Sequence, residues 1–253
     1  MFSLIFNKVK MKKTFVFILT AACIAAPVFA VDWAAIQKKE DAYKNQVTQR
    51  FSKWIPKGWF IESAAEGDLN QDSIPDVAFI VSDRDYSALQ DSDDSINSQI
   101  IVLMNEGSHH ELFLRSTSYV DGRQNDRYGI PDVEVEIKNG VLHLRVGDGV
   151  NKFISTRLFR FEKPGENEYK GRLRLIGSEY VSIEMAGSIF RQTSNNYLTG
   201  KCSKTIDFAS EGYSDAEKAE MLKEYGMKEG TVWKKIKGNR KIYFGEEDDT
   251  TCS

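Results

Sequence analysis

The sequence predicts a mainly β protein built from antiparallel sheets, propeller-like or sandwich, with an N-terminal helix and a short C-terminal helix. From Trp59 onward, short runs rich in β-branched and aromatic residues follow one another. Turn-forming pairs such as Asn139-Gly140 and Thr199-Gly200 separate several of these runs. Residues 133–137 and 142–146 alternate between apolar and polar side chains. Such alternation is typical of strands that bury one face and expose the other to water.

The composition is that of a globular chain and excludes several classes of protein. The chain has 253 residues, of which 41% are hydrophobic and 11% aromatic, so it carries enough apolar surface to form a core. Three cysteines are too few for a dense disulfide framework or a cysteine-rich zinc array. Nucleotide-binding glycine loops, a G-x-S-x-G elbow and an H-E-x-x-H motif are all absent from residues 31–253.

Residues 1–30 have the pattern of a secretory signal peptide. Lys12 and Lys13 precede an apolar run over 14–22, and small residues follow at 28–30. The run is short for a membrane anchor, and the residues before Cys23 fit a lipid-attachment site poorly. We therefore expect a periplasmic or secreted protein that keeps no stable membrane span after cleavage.

Removal of the signal peptide would make the protein more acidic and leave two cysteines. Cleavage deletes four lysines and no acid, which changes the formal net charge from −3 to −7. An acidic surface repels phosphate backbones, so nucleic acid is not expected as a partner. Cys202 and Cys252 remain, and in an oxidising compartment a disulfide is the simplest state, with two unpaired thiols as the alternative.

Helix signals occur at both ends of the mature chain. Asp32 precedes apolar residues at three- and four-residue spacings and predicts a capped amphipathic helix. The apolar positions of this helix are Trp33, Ile36, Tyr43, Val47 and Phe51. Ser214 and Glu217 form a capping box, and Gly226 lies where a helix stop is expected.

The strands are predicted between these helices, in one domain that covers residues 31–253. No proline- or serine-rich linker divides that region. The predicted strands are 77–81, 100–104, 112–119, 133–137, 141–146, 153–161, 173–176, 180–185 and 189–197.

Residues 66–82 contain the pattern of a calcium-binding loop. Asp68, Asn70, Asp72 and Asp76 occupy its first, third, fifth and ninth places, and the seventh place offers the carbonyl of Ile74. Calcium takes six to eight oxygen ligands of these kinds. Leu69 and Ile74 are expected to anchor the loop against the core, and a strand is expected to leave it directly. Phe79 stands where an EF-hand has its acidic twelfth ligand, which excludes a helix-loop-helix sensor.

The segment from Gly67 to Ala78 resembles the FG-GAP or VCBS-type repeat, a calcium loop found in integrin-like propeller blades. That family usually has glycine where this chain has Ser73. Residues 139–144, 159–161, 174–177 and 194–201 also resemble, in order and spacing, exported bacterial proteins with a single such loop and no assigned activity. The resemblance implies an exported, calcium-binding β-rich protein that acts by binding or as a structural module.

Other polar clusters have simpler explanations. Asp83, Asp85, Asp91, Asp93 and Asp94 are more typical of a solvated loop than of a second cation site. His109 and His110 are adjacent, so on a strand they point to opposite faces and make a poor zinc site. His143 is expected on a strand face.

Two alternative functions remain open from the sequence. A cell-envelope hydrolase would need paired carboxylates, for which Glu134, Glu136, Glu179 and Glu184 are candidates, although acids in alternation usually mark a wet sheet face. The chain also fits a subunit or inhibitor whose sheet edge pairs with another envelope protein. The partner would be an unknown protein or glycan of the cell envelope. Tyr43, Trp54 and Trp59 could form a sugar-binding surface, although they more often close a core.

Overall fold

We describe the protein from a computed structural model. It describes residues 32–84, 95–124, 131–147, 153–165, 170–184, 189–208, 213–224, 226–238, 240–246, 248 and 250–252. The predicted signal peptide and the acidic residues at 85–94 lie outside these residues.

The described secondary structure consists of two helices, one short 3-10 turn and fourteen strands. The helices are α1 (Trp33–Phe51) and α2 (Asp215–Glu224), and the 3-10 turn is Ser52–Trp54. The first seven strands are β1 (Phe60–Gly67), β2 (Asp76–Ser82), β3 (Ser95–Ile96), β4 (Ser98–Asn105), β5 (His110–Ser116), β6 (Arg123–Gln124) and β7 (Asp132–Lys138). The others are β8 (Val141–Gly147), β9 (Phe153–Glu162), β10 (Arg172–Glu184), β11 (Ile189–Asn196), β12 (Lys201–Phe208), β13 (Gly230–Lys237) and β14 (Thr251–Cys252).

The chain divides into two compact units, residues 1–41 and residues 42–253. The described part of the first unit is the start of α1. Its cap is the predicted one, because the Asp32 carboxylate accepts a hydrogen bond from the Ala35 amide at 3.0 Å. All the strands belong to the second unit.

Two antiparallel sheets carry the fold of the second unit. The first has the order β1-β2-β4-β5 and the second has the order β14-β13-β12-β11-β10-β9-β8-β7, while β3 and β6 form a small separate ribbon. The predicted antiparallel architecture with a helix near each end is confirmed. The described sheets form neither a closed barrel nor a propeller.

The main core lies between the two sheets. Side chains of β2 and β4, among them Ile80 and Val102, pack in one cluster with Leu144, Phe159 and Leu175 of the second sheet. Every residue of β2 is buried, which explains why its sequence is a continuous apolar run and does not alternate.

The C-terminal half of α1 covers the other face of the first sheet. Val47 and Phe51 pack with Phe79 and Ile101 in a second cluster. Trp54, Trp59 and Tyr43 join this cluster as partly buried residues, so they close a core, as their position predicts. The first sheet is therefore buried on both faces.

The short helix α2 covers a different part of the second sheet. Its Met221 and Leu222 pack against Ile206 and Phe208 of β12. The predicted capping box is present, because Ser214 and Glu217 exchange hydrogen bonds, and Gly226 has a positive φ of 59° at the helix end.

Three predicted strands, 112–119, 173–176 and 180–185, were wrong in extent. The runs 173–176 and 180–185 were predicted as separate strands, but β10 passes through Gly177 without ending, and a bulge between Leu175 and Gly177 absorbs the irregularity. Strand β5 ends at Ser116 because residues 118–120 form a turn. The Asn139-Gly140 turn is as predicted, with φ of 52° and 70°.

A disulfide joins Cys202 of β12 to Cys252 of β14, as the cysteine count predicts. The tail before it is well packed: Ile242 is fully buried, and its carbonyl accepts a hydrogen bond from the Leu175 amide at 2.8 Å. The C-terminal segment therefore packs against the core beside the start of β10.

Candidate metal-binding loop

The candidate loop connects the first two strands of the first sheet. Gly67, the last residue of β1, pairs with Asp76, the first residue of β2, so residues 68–75 form the hairpin loop between the two strands. A Cβ atom on Gly67 would lie 2.7 Å from Cγ2 of Ile137, because β1 approaches β7 closely at this point. Glycine is therefore required for the loop to start beside the second sheet.

Side-chain oxygens of the loop accept hydrogen bonds from the loop's own backbone amides and so hold it in a tight turn. The Asp72 amide donates to Oδ1 of Asp68 and to Oδ1 of Asn70, each at 3.0 Å. The other Asp68 oxygen accepts from the Ser73 amide at 2.9 Å, and Asp72 Oδ1 accepts from the Ile74 amide at 2.8 Å. Asp68, Asn70 and Asp72 are therefore brought together around one turn of backbone.

Asp76 lies beneath this turn and is fully buried. Its Oδ2 accepts from the amides of Leu69 and Asn70 at 2.9 and 3.3 Å, and its Oδ1 accepts from the Asn105 amide at 2.9 Å. Burial raises the pKa of the Asp76 carboxyl despite these three donors, and the nearby Asp72 carboxylate raises it further. Asp76 therefore fixes the loop to the neighbouring strand β4.

Two residues of the loop adopt left-handed backbone. The φ angles of Gln71 and Ser73 are 63° and 73°, a region that favours glycine. Ser73 stands where the FG-GAP and VCBS loops usually have glycine, whereas nothing in the sequence analysis pointed to left-handed backbone at Gln71. Gln71 also lies against the β7–β8 turn, because a Cβ on Gly140 would be 2.5 Å from its Nε2.

The two predicted apolar anchors differ in depth. Leu69 is 1% exposed and belongs to the main core, as predicted. Ile74 is only partly buried and reaches toward Gly107 in the β4–β5 turn. The loop is therefore held mainly through Leu69 and Asp76, and Asp72 and Ser73 remain exposed.

The chemistry of the donor set fits a hard cation only with help from neutral oxygens. Among the described residues, no group of three His, Cys, Asp or Glu side chains is close enough to hold a metal ion. A carboxylate has about four acceptor positions, and Asp76 uses three of them for amides. A cation here would therefore depend mainly on the charges of Asp68 and Asp72. Asp76 could add its one remaining acceptor position, and Asn70, Ile74 and water would supply neutral oxygens.

The described hydrolase candidates make contacts typical of surface residues. The side chains of Glu134 and Glu136 are 62% and 54% exposed, and each lies beside a cation, Arg145 or Lys138. Glu179 hydrogen-bonds Gln192, and nothing is described of the Glu184 side chain. These contacts are those of a solvated sheet face.

The remaining candidates are also explained by local contacts. His109 bonds Glu111 at 3.1 Å, whereas His110 packs edge-on against Phe51, so the two rings lie on opposite faces as expected. Burial lowers the pKa of His110 and also that of His143. Asp83 accepts hydrogen bonds from Asn97.

Two polar networks were missed by the sequence analysis. Arg123 is 5% exposed and pairs with Glu62, and it also donates to Ser98 Oγ at 2.8 Å and to the Pro131 carbonyl at 2.7 Å. Tyr197 is buried and joins Ser178 to Asp248 through its hydroxyl. Neither network has a local sequence signal, because its members are far apart along the chain.

No protein-family model, curated protein or solved structure matches this chain. The likeness to FG-GAP and VCBS repeats therefore rests on the residues of the loop. Within the part of the chain that the structure describes, no helix has the length and apolar character needed to cross a membrane.

Proposed function

We propose that this protein is an exported, β-rich binding or structural module whose loop 68–76 takes up one calcium ion. The ligands would be oxygens of Asp68, Asn70, Asp72 and Asp76 and the carbonyl of Ile74. The protein would work in the periplasm or outside the cell, where calcium is available and a disulfide persists.

The observation that carries the proposal is that side-chain oxygens of the loop accept hydrogen bonds from the loop's own backbone amides. Asp68 and Asn70 direct oxygens at the same amide, that of Asp72, so these oxygens lie near one another without a cation between them. Asp72 adds a further carboxylate to this turn. A divalent ion would neutralise the Asp68 and Asp72 carboxylates, and because it binds only the folded loop it would stabilise the folded state.

The ion would have a structural role. Asp76 and Leu69 already tie the loop to β4 and to the core, so an ion at the open side would fix the remaining exposed half. The left-handed backbone at Ser73 costs about 1 kcal/mol relative to glycine, which would make the affinity lower than in a loop with glycine there.

Calorimetric titration of the intact protein with calcium tests the proposal. We expect one site, and we expect Asp68→Asn to abolish the heat because it removes a carboxylate while keeping its shape. Glu134→Gln is the matched control, since it removes one exposed acid from a different part of the second unit. Equal binding by all three proteins, or no binding by the unsubstituted protein, would reject the calcium site.

A further inference from the structure

Strand β13 leaves one edge of the second sheet open. It pairs with β12 along Gly230–Lys235, but β14 covers only Ile236 and Lys237 on the other side. Among the described residues, no strand pairs with the rest of that outer edge. An open edge presents unpaired main-chain groups to a further strand.

The direction of the open main-chain groups follows from one hydrogen bond. The Ile236 amide donates to the Gly200 carbonyl, on the β12 side, at 2.9 Å. Because N–H and C=O groups alternate in direction along a strand, those of Thr231 and Trp233 point to the open edge, beyond the part of β13 that β14 covers. A strand laid along β13 would form its hydrogen bonds there.

The side chains beside this edge are basic and aromatic. Trp233 is 73% exposed, the largest exposure among the described large apolar residues. Lys235 and Lys237 lie on its face of the sheet, and Lys201 is directly opposite Lys235. These three lysines make no ion pair within the described chain, although the protein as a whole is acidic.

Trp233 is exposed because its neighbours on the same face are small. Ser203 is directly opposite, and the next pair along is Thr205 with Thr231, whose hydroxyls bond each other at 2.9 Å. Lysines on an edge strand often serve to discourage pairing. An exposed tryptophan does the reverse, because it offers apolar area to a cross-strand partner.

The opposite edge of the second sheet, formed by β7, is not open in the same way. The Val135 amide of β7 donates to Ser63 Oγ of β1 at 3.0 Å, and Ile137 lies against Gly67. That acidic edge strand is therefore covered by the first sheet. A second copy of this chain cannot offer β7 to β13 without breaking these contacts, and a second β13 would place lysines opposite lysines. A different chain is therefore the better occupant of the open edge.

We infer that β13 binds an extended acidic segment of a partner protein, which adds to the second sheet as an antiparallel or parallel strand. Its carboxylates would face Lys235, Lys237 and Lys201, and an apolar side chain would cover Trp233. This inference supplies the partner class of the binding module proposed above. It does not depend on calcium, because the loop adjoins β7 at the other end of the sheet.

The test uses a short acidic strand peptide with the sequence of residues 132–137, blocked at both ends, and the intact protein. Binding is followed by fluorescence anisotropy in calcium and in EDTA. We expect equal affinity in both buffers, so that failure of the calcium site would not affect this result. We expect Lys235→Glu with Lys237→Glu to weaken binding at least tenfold, and the matched pair Lys38→Glu with Lys39→Glu, on exposed helix residues, to leave it unchanged.

Amide hydrogen exchange separates strand addition from charge attraction. The peptide should slow exchange of the Thr231 and Trp233 amides, and a polyglutamate of equal charge should not. Trp233→Ser should weaken peptide binding about tenfold, with unchanged thermal unfolding because the side chain is exposed. Equal binding of peptide and polyglutamate without amide protection would overturn the inference. So would absence of peptide binding, or binding of anionic lipid vesicles in its place.

Discussion

Strands β2 and β13 are both paired with neighbouring strands, yet they differ in how much of each strand is buried and in what stabilises it. All seven residues of β2 are buried, between α1 on one face and the second sheet on the other. In β13 only Ile236 is buried, and a disulfide lies beside it in the neighbouring strands. Apolar burial stabilises the first region, whereas covalent and polar links stabilise the second.

The difference indicates what each region can do. A loop attached to a doubly covered sheet is fixed at its base, which suits the precise placement of oxygen ligands. An exposed edge with few buried residues can accept another strand without losing a core. The calcium proposal and the partner proposal therefore concern opposite edges of the second sheet.

The largest expected effect is on the first region, from Arg123→Met. This change leaves Glu62 buried without its cation and removes the donors to Ser98 and Pro131. We expect a loss of about 3–5 kcal/mol in the free energy of unfolding, measured by urea denaturation. Arg145→Met, which breaks an exposed pair with Glu134, should cost about 1 kcal/mol or less. Similar costs for both changes would contradict a buried network.

The second-largest effect is expected in the part of the second sheet formed by β12, β13 and β14. Replacing Cys202 and Cys252 together by alanine should lower stability by about 2–4 kcal/mol, because the bond closes a loop across 50 positions. Amide exchange should rise in β12–β14 and stay low in β2 and β4. Uniform loss of protection in both sheets would show that the two regions unfold as one.

A smaller effect is expected at Glu162, which holds the C-terminal segment. Burial alone would raise the pKa of Glu162, but hydrogen bonds from Arg174, Tyr243 and Lys241 lower it below its ordinary value of 4.5. The ionised form therefore stabilises the fold above pH 4.5, and this contribution is lost as the pH falls through the lowered value.

Glu162→Gln should cost about 1–2 kcal/mol at pH 7. The difference from the unsubstituted protein should shrink in urea denaturation below pH 4.5. A constant difference from pH 7 to pH 3 would contradict a lowered pKa.

The smallest effect is expected within the loop, and it is a gain. Ser73→Gly should raise stability by about 1 kcal/mol, because glycine adopts the φ of 73° without strain. The matched change Ser108→Gly, in a turn without positive φ at that residue, should give no gain by thermal denaturation. Equal effects at both positions would mean that Ser73 stores no strain.

Features set by neighbouring residues could be predicted from the sequence. The Asp32 cap, the Ser214–Glu217 capping box and the Asn139-Gly140 turn each depend on residues within a few positions of one another. The start of β2 and the anchor at Leu69 followed from the spacing of the loop.

Features set by distant residues could not be predicted. Arg123 meets Glu62 across 61 positions, and Tyr197 meets Asp248 across 51. Strand β13 was not predicted, because lysines interrupt its apolar pattern. The two-sided burial of β2 depends on α1 and on the second sheet, neither of which its own seven residues specify.

The most direct measurement of the central claim is thermal unfolding of the intact protein with calcium and with EDTA, beside Asp72→Asn. At a calcium concentration of about one hundred times the dissociation constant, the ion should add about 2.7 kcal/mol and raise the midpoint by about 5–10 °C. Asp72→Asn should remove that shift while its midpoint in EDTA stays near that of the unsubstituted protein. Identical midpoints in calcium and EDTA for the unsubstituted protein would contradict a stabilising ion at this loop.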